Sequence, residues 1–195
     1  MDRREAIKRV GMLLGGALSA STVAGVLGGC RAGPSTGSFR PMILTDGRDE
    51  MVATIAELII PETDTPGARA ARVHEFIDQM LHEWYEDEER HHFLTELSTV
   101  DQKARETFDS PFINLSEAQQ IELLTQMETE GIAWMESPEI EGRGPDRPPF
   151  FVVMKGLTLF GYYTSEIGAT QELRVMPMGQ YRGDVPFDEI GRAWA

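Results

Sequence analysis

Apolar residues recur at helical spacing through much of the chain from residue 49 onward, and each run ends on a recognisable stop. Met51, Val52, Ile55, Leu58 and Ile59 give one apolar face to a segment from Asp49 to Ile60, which Pro61 closes. A polar loop follows, in which Thr65 is a good N-cap and Pro66 suits the first helical position. The predicted second helix runs from there to about Tyr85, with Val73, Phe76, Ile77, Met80, Leu81 and Trp84 on one stripe. The run Glu86-Asp87-Glu88-Glu89 puts carboxylates where a helix dipole favours them, and Phe93, Leu94, Leu97, Val100 and Ala104 form the face of a third helix. Ser116 and Gln119 have capping-box spacing and open a fourth, through Leu123, Leu124 and Met127.

Residues 137–149 are rich in proline, glycine and charge and read as a loop. Phe150 to Tyr163 is apolar nearly all round, so it is either the central helix of a bundle or part of an interface. Beyond Thr164, glycines and prolines leave no regular element to predict. No segment alternates as a strand would. The fold class is therefore all-α: a small helical bundle with an irregular C-terminal segment.

The first thirty residues follow a different pattern. Arg3 and Arg4 form a twin-arginine pair, the signal read by the translocase that exports folded proteins. An uncharged stretch from Val10 to Gly29 ends in Leu27-Gly28-Gly29-Cys30, a lipobox at which a lipoprotein is cleaved and its cysteine acylated. An uncleaved anchor is the alternative, since about 20 apolar residues span a bilayer. Glycines, Ser19, Ser21 and Thr22 make the stretch only mildly hydrophobic, which favours a signal. The organisation expected is a signal over 1–29, a flexible tether over 30–48 and a helical domain over 49–195. Its expected place is the periplasmic side of the cell envelope, held to the membrane by lipid on Cys30.

Charge and cysteine usage narrow the function. The whole chain has 18 basic and 32 acidic residues; setting aside the signal's four and two leaves 14 and 30, a net charge of −16. Such a surface repels phosphate backbones, which argues against nucleic acid. It also repels anionic headgroups, so membrane attachment falls to the lipid. Cys30 is the sole cysteine, and lipidation uses its thiol. No disulfide, thiolate nucleophile or Cys-ligated cofactor is then expected, and glycine-rich phosphate loops and His-Glu-x-x-His do not occur.

Candidate chemistry is thin. His74, His82, His91 and His92, with Glu88 and Glu89, have the ligand types of a metal site, but their spacing spreads them over helix faces. They read better as solvated surface, and no metal is expected. Asp64, in its proline-bounded loop, and Glu166 are the acids a small enzyme would use, though capping and helix termination explain them as well. No residue is assigned a catalytic or cofactor-binding role. Tyr162, Tyr163, Thr164, Ser165 and Glu166 form an aromatic-polar segment suited to contacting a partner, or else to ending a buried helix.

The stretches IPETDTPGA over 60–68 and GYYTSEIGATQEL over 161–173 resemble the two signatures of the gluconate 2-dehydrogenase subunit 3 family. PMGQYRG over 177–183 is similar to that family's Pro-x-Gly-x-Tyr-x-Gly segment and adds Tyr181 to the candidate partner contacts. Asp184 stands where some members carry a cysteine, so no role of that thiol carries over. The resemblance implies a small non-catalytic subunit that carries the export signal for a large FAD-containing dehydrogenase of the glucose–methanol–choline type. Such complexes act on a sugar or sugar acid and commonly hand electrons to a cytochrome c. It also explains a folded-export signal on a chain with no cofactor motif: the cargo that must fold first is another chain. The alternative is a stand-alone envelope lipoprotein with a binding or scaffolding role.

Overall fold

Helix α1 (Asp46–Ile59) opens the bundle and buries Val52, Ala53, Ile55 and Ala56. It is followed by α2 (Val73–Glu83), α3 (Asp87–Phe108), α4 (Glu117–Met135), α5 (Phe150–Thr164) and a short α6 (Phe187–Ile190). A 3-10 turn at Phe112–Asn114 links α3 to α4, and a π-helical turn, Gly168–Glu172, follows α5. The computed structural model describes residues 39–136, 147–175 and 183–193. Among these the fold is all-α, as the periodicity predicts, and no helix is long and apolar enough to cross a membrane.

Helix α5 is the centre of the unit formed by residues 41–195, packing on α1, α2, α3 and α4. Phe150, Phe151, Met154, Leu157, Thr158, Gly161 and Tyr162 are buried along it. The opposite edge stays in solvent, with Leu159, Phe160 and Tyr163 exposed. The segment is the central helix of the bundle, with one apolar edge left exposed among the described residues. Each large apolar side chain wholly removed from water contributes roughly 1.5–3 kcal/mol, which is why the core face dominates the packing.

The predicted capping box forms at α4, where Ser116 N–H donates to Gln119 Oε1 (3.1 Å) and Gln119 N–H to Ser116 Oγ (3.4 Å). At α3, Glu86 N–H donates to Glu89 Oε2 (3.1 Å). The predicted second helix needs correction: it starts at Val73, not beside Pro66. Residues 66–72 form separate turns, with Ala71 N–H donating to Gly67 O (3.1 Å) and Val73 N–H to Ala68 O (3.0 Å). Arg72 sits at φ 57° and breaks helical continuity into α2. Thr65 makes no cap, because its hydroxyl bonds elsewhere.

A buried carboxylate fixes the segment entering the bundle. Asp78 on α2 is wholly buried and accepts N–H bonds from Met42 (2.7 Å), Ile43 (3.0 Å) and Leu44 (2.8 Å). Asp49 on α1 lies in the same electrostatic neighbourhood. Burial pushes its carboxyl above the ordinary value of 3.8; Asp78, Glu50 and Glu75 add to the rise, and His74 opposes it. Between 3.8 and the raised value the folded state binds more protons than the unfolded state. Stability therefore falls as pH rises through that window. Asp49→Asn is expected to melt progressively higher than wild type as pH goes from 4 to 7, and a gap that stays constant would contradict this.

Candidate partner surface and the joint behind it

The loop after α1 is folded around one carboxylate. Glu57 accepts from Glu62 N–H (3.0 Å) and Arg69 N–H (2.8 Å), and Ala68 N–H donates to Ile60 O (2.9 Å). A Cβ at Gly67 would overlap the Glu57 carboxylate, so this close approach needs glycine.

The far end of α5 docks against that loop. Tyr162 is buried, and its hydroxyl donates to Pro66 O (2.7 Å). Thr65 Oγ1 donates to Glu172 Oε2 (2.6 Å). The chain can turn back toward Thr65 because α5 ends in a tight knot. Ser165 Oγ donates to Tyr162 O (2.6 Å) and accepts from Gly168 N–H (3.0 Å). Leu173 N–H then reaches Gly168 O (2.9 Å) across the π turn. The stretches 60–68 and 161–173, about a hundred residues apart, thus form one joint.

The candidate contacts divide according to this geometry. Tyr162 is corrected to a core residue: only 1% of it is exposed, so its ring cannot meet a partner. Ser165 is half-buried and spends its hydroxyl on the knot. Thr164 is exposed but donates to Phe160 O within its own helix (2.7 Å). Tyr163, 41% exposed, and Glu166 remain available at the surface. Arg3, Arg4, Cys30 and Tyr181 lie outside the described residues, as does 137–146 of the predicted loop.

The acids and histidines do not converge. Asp64 and Glu166 are both exposed, and His82 and His91 are exposed on different helices. His74 is half-buried beside Glu75 (3.9 Å). Among the described residues no group of three His, Cys, Asp or Glu side chains is placed to hold a metal ion.

What the structure adds is an apolar strip along α2 and α5. Phe160 is 57% exposed, and its ring stands 5.7 Å from that of Phe76 on α2. Phe76, Met80 and Trp84 follow at intervals of four residues, which keeps them on one side of the helix. Trp84, assigned by its spacing to the core stripe, is 74% exposed instead. It lies one residue past the last turn of α2, where the stripe runs out over the surface. Aromatic side chains left in water in this way are the usual anchors of protein interfaces.

No curated protein and no solved structure matches the chain at a significant level. The family profile described as gluconate 2-dehydrogenase subunit 3 matches residues 46–182, which takes in both halves of the joint and both helices of the strip. The chain thus belongs to the gluconate 2-dehydrogenase subunit 3 family, whose members are small subunits of a dehydrogenase complex.

Proposed function

We propose that this chain is a non-catalytic accessory subunit of a flavin-dependent sugar or sugar-acid dehydrogenase. It binds a large FAD-containing flavoprotein of the glucose–methanol–choline type and escorts it through the folded-protein export route. Lipid on Cys30 then holds the complex at the periplasmic face of a membrane. Hydride transfer takes place at the partner's flavin, and a cytochrome c receives the electrons. The observation that carries this reading is membership of a dehydrogenase-subunit family by a chain whose central helix exposes an uncovered aromatic edge. The overlapping twin-arginine pair and lipobox support the escort and anchor functions.

The contact is tested on that edge. Phe160→Ala with Tyr163→Ala is expected to weaken binding of the flavoprotein by about 2 kcal/mol or more, roughly thirtyfold. Both residues are substantially exposed and lose only their ring contacts with Phe76 and Tyr162, so the melting temperature of the free subunit should move far less than the binding does. Co-purification of flavin absorbance with the tagged full chain measures the first effect, and thermal melting the second. A double variant that retains the flavoprotein at wild-type level would contradict the proposed contact.

A further inference from the structure

Beyond the aromatic edge, the strip leads into a groove of about 500 Å³ between the end of α2, the first turns of α3 and the start of α5. Its floor is apolar, built from Met80, Phe93, Phe150 and Val153, and Trp84 stands at its side. Tyr85 also lines it, its hydroxyl pushed upward by burial first and by the Glu89 carboxylate second. This volume falls within the range of cavities that hold ligands.

The rim selects among occupants. Glu89 and Glu96, seven residues apart on α3, both face the groove, with His92 between them. Arg147 lies opposite, but its guanidinium is already paired with Glu88 (2.5 Å) and donates to the Glu88 carbonyl (3.1 Å). Two carboxylates against one guanidinium, with His92 neutral, leave the lining net negative, so a sugar acid or a phosphate is disfavoured. A segment offering apolar side chains between lysines or arginines has the complementary chemistry. Because the groove is continuous with the strip through Met80 and Phe76, one bound surface can cover both ends.

We infer that this groove is a second docking point for the large subunit, filled by an apolar segment flanked by basic residues. The inference rests on the accessory-subunit reading and adds to it a place and a chemistry of contact. Trp84 would close over the inserted side chains, and the two glutamates would meet the flanking cations.

The test uses the full chain and the flavoprotein that co-purifies with it, with affinity measured at several salt concentrations. Trp84→Ala is expected to weaken binding at least tenfold while leaving the melting temperature of the subunit unchanged. Glu89→Gln with Glu96→Gln, which keeps an amide acceptor for Glu86 N–H, is expected to flatten the salt dependence of binding. Both variants binding with wild-type affinity and salt dependence, while Phe160→Ala with Tyr163→Ala binds weakly, would overturn the groove and leave the accessory-subunit reading standing. Failure of the unaltered chain to bind any large flavoprotein would overturn both.

Discussion

Asp78→Ala is expected to destabilise the domain by about 3 kcal/mol, given that hydrogen bonds to charged groups are worth roughly 1.5–3 kcal/mol each and burial of the charge offsets part of the sum. The carboxylate is wholly buried and accepts three consecutive backbone N–H groups, from Met42, Ile43 and Leu44. Alanine leaves those donors without a partner, and the one on Leu44 is buried. Relief of repulsion against Asp49 works in the other direction, but Asp49 is only partly buried and three bonds outweigh it. Domains are typically stable by 5–15 kcal/mol, so the loss is a large share of the total. Urea denaturation of the two proteins measures it. Asp78→Asn, which keeps one acceptor oxygen, should fall between them. A loss below about 1 kcal/mol for the alanine variant would mean that the segment over 41–44 is held by something else.

Gly168→Ala is expected to cost about 3 kcal/mol, at the upper end for forcing an extra methyl into packed structure. The added Cβ would overlap the Tyr162 carbonyl oxygen, which is backbone and cannot swing aside as a side chain would. Something in the knot must shift: the bond from Gly168 N–H to Ser165 Oγ, the bond from Leu173 N–H to Gly168 O, or the end of α5 itself. The added Cβ would also crowd the backbone of Tyr163, so flavoprotein binding should weaken along with stability. Tyr162→Phe is the control, since it removes only the hydroxyl bond to Pro66 O and should cost about 1 kcal/mol. Thermal melts followed by circular dichroism separate the two. A Gly168→Ala protein that melts with wild type would show that the joint accommodates the methyl freely.

The helices were legible because their signals are local. Ser116 and Gln119 lie three residues apart and do what that spacing implies, and the Phe93, Leu97, Val100 and Ala104 face of α3 is buried as its period requires. Thr65-Pro66 misled because the same residue types that open a helix also suit a turn. A carboxylate at residue 172, far away in sequence, takes the Thr65 hydroxyl. Asp78 carries no local signal of its burial for a similar reason. It lies between Ile77 and Leu81 like any polar residue on a helix, and what buries it comes from 34 to 36 residues earlier. Tyr162 and Tyr163 looked alike as a pair, yet one helical step of about 100° sends one ring into the core and leaves the other partly in water. Trp84 fits the apolar stripe by spacing, but the helix ends at Glu83 and no element among the described residues covers it. The joint between the two signature stretches was foreseeable only as two separate motifs, since nothing local marks that Pro66 and Tyr162 meet.

The escort claim is tested most directly by following the partner rather than this chain. Cells carrying Arg3→Lys with Arg4→Lys, and expressing the large flavoprotein without a signal of its own, are fractionated and the flavoprotein is quantified in cytoplasm and envelope. The expected result is retention of both proteins in the cytoplasm, with the flavoprotein folded and flavin-loaded there. A flavoprotein that reaches the envelope normally in the double variant would contradict the proposal that this subunit carries it across.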